Sequence, residues 1–441
     1  MADVAVVGAG FAGMAAAARL AKLGHAVTVF EQQPTAGGRL RTVEQDGFGW
    51  DAGESSTGLP AVLRDLFRTS GRPIERYVDL TPVPPRRHLF PGGVCVDLPM
   101  GSRAGQTRAL DAGLGAGTGR LWTEFVDGQA DVWDRFRRSP AGPDWDGSQP
   151  ARPADLRLPV RRSLRHLLAR ALPDPRLRAV ASHRWILAGS DLRRVPALAA
   201  VDAYLERSFG IWRGPSGLGE LRDALVLRLA ERGVDVRYAS PVTSVDVRGG
   251  RVTGVKVGDG ARFVADVVVA SIDPLVVFAE LLGGGFSRPV RVFSAAHRVA
   301  PAAVTRLGLR GADVAGSGGD VVLHGDPLVV VSAGGTAPLG HCARTVRMRG
   351  GTDEDVLSVM ASRGLDVRAD VVTRLDGEPQ GSAAISDHDL SWDGWRAYLR
   401  RSACAEPVAG LYVLGARLTP GATVPEVGWT AANVAGRIGK A

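Results

Sequence analysis

Residues 4–42 read VAVVGAGFAGMAAAARLAKLGHAVTVFEQQPTAGGRLRT. Val4 to Val7 is a short apolar run suited to a buried parallel strand, and Gly8, Gly10 and Gly13 come next in GxGxxG spacing. An alanine-rich helix is predicted up to Leu23, where Gly24 stops it, and a second strand over Ala26 to Phe30 ends in Glu31. This order specifies a βαβ unit. Gly8 permits the tight turn, Gly10 lets the backbone approach a pyrophosphate, and Gly13 lets helix and strand pack closely. The amides of Phe11, Ala12 and Gly13 then face the phosphates, and Glu31 stands where a carboxylate accepts the hydroxyls of an adenosine ribose. NAD and FAD both fit such a unit, so the choice between them rests on the residues after Glu31.

Beyond Glu31 lies TAGGRLRT, in which Gly37 and Gly38 allow close backbone approach and Arg39 offers a guanidinium fork for phosphate. GFGWDAGESST occupies Gly47 to Thr57. The series GxGxxG, Glu, GGR, GFxxDAG resembles the flavin amine oxidase superfamily, and within it the bacterial phytoene desaturases. The resemblance implies noncovalent FAD embraced by the GGR segment, with Gly53, Glu54 and Ser55 beside the flavin ring. It also implies backbone contacts from Val242 to the adenine. In GLYVLGARLTPGATVPEVGWTAANVAGRIG, it implies contacts from Gly415, Ala416, Glu426 and Val427, with a last helix starting near Val427 and aiming its amino end at the flavin pyrimidine. The partial positive charge of a helix N-terminus suits the negative charge that develops there on reduction, an effect of about 0.3–1 kcal/mol at an exposed end.

Glu426 departs from the family, which usually has Gly there. Three alternatives stand: an ion pair with Arg417, a proton-transfer role, or a side chain turned to solvent. Glu426 is thus the one candidate for a catalytic residue. No cysteine falls in the DAG or C-terminal blocks, so attachment of flavin through sulfur is not expected.

The fold expected is α/β: a Rossmann-like FAD-binding domain with a parallel sheet, assembled from 1–95, 212–287 and 406–441. An α+β substrate lobe from 96–211 and 288–405 interrupts it. Within the flavin domain, Leu218, Leu221, Leu225 and Leu229 share one face of a helix, a Gly249-Gly250 hairpin comes after it, and DVVVAS from Asp266 is a buried strand.

The 441 residues suffice for two or three such units. The net charge of +8 is spread along the chain with acids interspersed, which argues against a nucleic-acid partner. Cys95, Cys342 and Cys404 lie far apart with no CxxC, and no histidines pair at metal spacing, so neither a disulfide framework nor a metal site is expected. The N-terminus lacks a secretory pattern and no apolar run reaches bilayer length, which predicts a cytoplasmic protein.

In the lobe, VRRSLRHLLARALPDP sets Leu164, Leu167, Leu168, Ala171 and Leu172 at helical spacing against Arg161, Arg162, Arg165 and Arg170. It reads as a lobe-capping helix, with peripheral contact to an anionic membrane surface as the alternative. The tract from Arg138 to Pro159 reads as a loop or lid, its neighbour Trp133 and its own Trp145 being surface anchors or substrate contacts. His183, in ASHRWILAGSD, reads as a core histidine or a neighbour of the substrate tunnel.

The resemblance implies dehydrogenation of an apolar isoprenoid or polyene-like substrate by hydride transfer to flavin, in a greasy tunnel. The alternatives on this scaffold are a flavin amine oxidase, a redox-neutral polyene isomerase, a saturating reductase and a non-enzymatic prenyl-lipid escort protein. Only three lysines, Lys22, Lys256 and Lys440, are present, which disfavours the amine oxidase.

Overall fold

A computed structural model describes residues 1–139, 142–143, 158–294, 300–311, 318–351, 354–377, 394, 396, 406–418 and 423–441. Trp145, Cys404 and most of the tract after Arg138 lie outside them.

Strand β1 (Asp3–Val7), helix α1 (Phe11–Lys22) and strand β2 (Ala26–Phe30) form the expected βαβ unit. Strands β1 and β2 pair in parallel, and the sheet extends through Asp235–Arg237 on one side and through Val267–Ala270 and Leu411–Val413 on the other, every pairing parallel. Val267–Ala270 is buried on both faces, which is why it reads as an unbroken apolar run. Helix Gly219–Glu231 buries Leu221, Leu225 and Leu229 against α1, with Leu218 buried just before its start. Gly249 and Gly250 take φ of +56° and +77°, the left-handed backbone that the tight hairpin between Val242–Arg248 and Arg251–Val257 requires.

The second unit holds a seven-stranded sheet ordered Val371–Asp376, Ala303–Arg310, His341–Arg349, Leu328–Ala333, Val321–Leu323, Arg86–Leu89, Cys95–Leu98. Strand Arg86–Leu89 pairs with Val321–Leu323 and with Cys95–Leu98, so the chain has already joined this sheet by Arg86. The expected boundary at residue 95 is therefore late by about one strand. The displaced segment carries Arg86, Arg87 and His88, and nothing in its local pattern tells which sheet will receive its backbone hydrogen bonds.

A helical cluster completes the lobe, its core including Trp122, Phe125, Trp133, Phe136, Leu164 and Leu168. In helix Leu164–Ala171, Leu164 is 0% and Leu168 2% exposed, and Leu172 is buried just beyond it. Leu164, Leu168 and Leu172 are thus committed to the lobe core and Leu167 is partly buried against it, while Arg161, Arg162, Arg165 and Arg170 keep accessible surface. No helix among the described residues is long and apolar enough to cross a membrane.

Candidate functional site

The turn after β1 is built by sterics. Gly8 has φ +96°, and a Cβ on Gly13 would sit 2.0 Å from the Gly8 carbonyl oxygen, so any side chain there would push α1 off the sheet. Gly10 differs: its φ is −72° and a Cβ would meet nothing within 4 Å. Open space thus faces the amino end of α1, which carries no side-chain cap, and Phe11, Ala12 and Gly13 start that helix. Uncapped amides bordering an open cradle are the donor set a diphosphate requires.

Glu31 lies directly behind the loop. Its Oε2 accepts the Ala9 N–H at 2.7 Å and its Oε1 the Gln33 N–H at 2.9 Å, which fixes the carboxylate and leaves further lone pairs for a ribose. The Ser240 N–H donates to the Glu31 carbonyl, bringing the segment that begins Val242–Arg248 to the same place. Gly37 lies against Gly10, its N–H bonded to the Ala9 carbonyl at 2.9 Å, and a Cβ on Gly38 would stand 3.3 Å from the Gly10 Cα. These glycine pairs, 27 and 28 residues apart in sequence by their numbers, bring the two Gly-rich motifs into one loop cluster. Gly415, with φ +129°, and Ala416 close the far end of the sheet after Leu411–Val413.

The second half of the site forms where the DAG segment meets the C-terminal helix Val424–Ile438. Gly53 accepts a hydrogen bond from Arg347, and Glu54 Oε2 accepts the Val424 N–H at 3.3 Å. Burial raises the Glu54 carboxyl above the ordinary range, opposed by Arg39, Arg184 and Arg347. Arg39 thus lies beside the DAG segment, where a Cβ on Gly53 would stand 3.2 Å from the Arg39 Cβ.

Glu426 occupies the third position of its helix and folds back on its start. Its Oε2 accepts from the Thr423 N–H and hydroxyl, both at 3.0 Å, while Thr423 accepts the Glu426 N–H. This capping box explains why the helix starts at Val424, three residues before the expected Val427: the signal was Thr-x-x-Glu with Pro425 inside the first turn. Val427 is buried and its N–H is bonded to the Thr423 carbonyl within the helix.

The pairing of Glu426 with Arg417 is overturned. Arg417 Nη1 binds Asp273 Oδ2 at 2.9 Å, whereas Glu426 lines a cavity, which also rules out a side chain turned to bulk solvent. The orphan amides of the helix start draw the carboxylate inward. Burial pushes its pKa up to about 8, against the opposing charge of Arg184.

That cavity measures about 270 Å³. Trp133, Phe136, Trp185, Leu187, Leu198 and Trp429 supply apolar wall, and Ser55 lines it from the DAG segment. The lining is not uniformly greasy: Arg86, Arg184, Asp202, Glu206, Asp320 and Arg347 also face it. Sequence reasoning missed all six, because they are spread from residue 86 to residue 347, only Asp202 and Glu206 sharing an element, and the chain order carries no sign of their meeting. His183 combines both expectations, being buried and lining the cavity. Among the described residues no cluster suited to a metal ion occurs.

The chain is 32% identical over 290 residues to hydroxyneurosporene desaturase of Cereibacter sphaeroides, covering 64% of this chain and 58% of that protein. It is 29% identical over 287 residues to 4,4'-diapolycopene oxygenase of Methylomonas sp, covering 63% and 57%. The matches thus span under two thirds of these relatives' own length. A solved structure of a putrescine oxidase variant superposes with a TM-score of 0.74 over 99% of this chain and 98% of that one, at 15% identity, a likeness of fold. The family described as flavin containing amine oxidoreductase matches residues 11–309, from the first residue of α1 into the lobe sheet, and the chain belongs to that family.

Proposed function

We propose that this protein binds FAD noncovalently and dehydrogenates a CH–CH unit of an isoprenoid- or polyene-like substrate. The observation that carries the proposal is the presence of two half-sites: an uncapped α1 start facing open space, and a cavity bounded by Glu54, Ser55 and Glu426. The carotenoid enzymes among its relatives support the reaction class.

Gly8, Gly10, Gly13, Gly37, Gly38 and Glu31 would hold the adenosine diphosphate part, with Arg39 beside the DAG segment. Gly53, Glu54, Ser55, Val242, Gly415 and Ala416 would contribute the remaining contacts. When bound, FAD would supply the acceptor for a hydride equivalent. Glu426, ionised, takes the proton from the adjacent carbon at a carboxylate oxygen, and the C=C bond forms between the two carbons. Its carboxyl, with a pKa of about 8, is largely protonated at neutral pH, so turnover should rise as the pH approaches 8. Trp133, Trp185 and Trp429 exclude water from the reacting carbons and orient the chain.

The test is anaerobic bleaching of the bound flavin by a panel of acyclic isoprenoids and, separately, primary amines. Purified protein should be yellow and release FAD on acid denaturation. A colourless protein that cannot be reconstituted overturns the cofactor assignment, and bleaching by amines alone overturns the reaction.

A further inference from the structure

Five of the cavity's polar side chains are gathered on one wall. Arg86, His183, Arg184, Asp202 and Glu206 line both the main cavity and a small second cavity of about 20 Å³, so these five side chains form the wall between the two. They come from three elements: strand Arg86–Leu89, helix Pro175–Leu187 and helix Val201–Phe209, whose Asp202 and Glu206 lie one turn apart.

Their charges are already matched. Arg86 pairs with Glu206 at 3.0 Å and Arg184 with Asp202 at 2.9 Å, and each of the four keeps between 13% and 33% of its side-chain surface accessible. His183 Nδ1 lies 2.8 Å from the Val180 carbonyl oxygen. A carbonyl only accepts, so Nδ1 carries the hydrogen, and in the neutral ring Nε2 keeps a lone pair. Burial, reinforced by Arg86, lowers the His183 pKa to about 4, so the ring stays neutral at physiological pH. No hydrogen bond to Nε2 is made among the described residues.

This wall constrains the occupant. A hydrocarbon end would strip water from two ion pairs and a ring nitrogen and return no hydrogen bond, which is unfavourable for each group. A charged end would add a charge to a balanced set. A ketone has no hydrogen to give Nε2. A hydroxyl has one, and its oxygen accepts from a guanidinium.

Resting on the reading of this cavity as the substrate site, we propose that the substrate carries a neutral hydroxyl group, which donates to His183 Nε2 and accepts from Arg86 or Arg184. His183 is then a specificity-determining residue rather than a proton carrier.

The probes are farnesol and the hydrocarbon of the same skeleton in which hydrogen replaces the hydroxyl, each titrated into the purified holoprotein in a fixed detergent. Emission of Trp133, Trp185 and Trp429, all on the cavity wall, reports binding without turnover. Farnesol should bind roughly tenfold more tightly than the hydrocarbon, the equivalent of about 1.4 kcal/mol. His183→Phe should abolish the preference by weakening the alcohol alone, His183→Gln, which keeps an acceptor, should restore part of it, and Glu206→Gln should reduce it independently. Retained flavin absorbance verifies that each variant is folded. Equal affinities in the unmodified protein, failure of both probes to bind, or a preference that survives both His183→Phe and Glu206→Gln overturns the proposal. Failure of the desaturase reading would appear instead as absent flavin bleaching with this preference intact.

Discussion

Glu54 and Glu426, 372 residues apart by their numbers, bring two carboxylates to the start of a single helix: Glu54 accepts the Val424 N–H and Glu426 the Thr423 N–H. Burial raises the pKa of both. The amino end of the C-terminal helix is therefore capped by two carboxyl oxygens that accept its orphan N–H groups, and burial holds Glu426 largely protonated at physiological pH.

That arrangement has a pH signature. The Glu426 carboxyl rises from 4.5 to about 8 on folding, so the native state holds its proton more tightly than the unfolded chain does. Its contribution is fully present below pH 4.5 and is lost as pH rises toward 8. Urea unfolding at about pH 5, 6.5 and 8 should show the native protein losing stability relative to Glu426→Gln as the pH increases. A constant difference between the two across that window would show that Glu426 does not titrate differently in the two states.

The glycines of the first turn separate folding from binding. Gly13→Ala places a methyl 2.0 Å from the Gly8 carbonyl oxygen and should cost about 1–3 kcal/mol of stability. Gly10→Ala has an allowed φ and a free space, so thermal stability of the flavin-free protein should hardly change. Its methyl occupies the cradle, however, and FAD affinity should fall by roughly tenfold, about 1.4 kcal/mol. Calorimetry of the apo forms and equilibrium dialysis with FAD check the two halves.

Arg417 should be coupled to Asp273 and not to Glu426. The pair is 2.9 Å apart with side chains 10% and 18% exposed, so a double-mutant cycle of Arg417→Ala and Asp273→Ala should return a coupling of roughly 0.5–3 kcal/mol. The cycle of Arg417→Ala with Glu426→Gln should be additive. Strong non-additivity there would restore the pair that the structure separates.

Leu168→Ala should cost about 2–5 kcal/mol in chemical denaturation, because its side chain is committed to the lobe core. A surface leucine reserved for lipid would give a change near zero in the same measurement.

Local physics made the first half of the site legible. Gly8, Gly10 and Gly13 with Glu31 are tied to one strand–turn–helix, and their spacing is dictated by backbone sterics and by the reach from one parallel strand to the next. The periodic leucines of Gly219–Glu231 and the Gly249-Gly250 turn were equally readable, since helical period and positive φ act over a few residues. The sequence by itself therefore determined a nucleotide-binding βαβ unit and the parallel sheet around it. Thr423 and Glu426 also carried their own signal, three residues apart, and the capping box was there to be read.

Only tertiary structure decided the polar character of the cavity and the partner of Arg417. Asp273 lies 144 positions from Arg417 by their numbers, and Arg86 is paired with Glu206 across 120. An ion pair is a relation of distance in space, and neither member differs in sequence from an arginine or carboxylate facing water. The sheet that received Arg86–Leu89 was decided the same way, by backbone groups that any residue possesses. What fixes these meetings is burial of the apolar faces around them, which brings charged side chains into one cavity as a consequence of packing the whole chain.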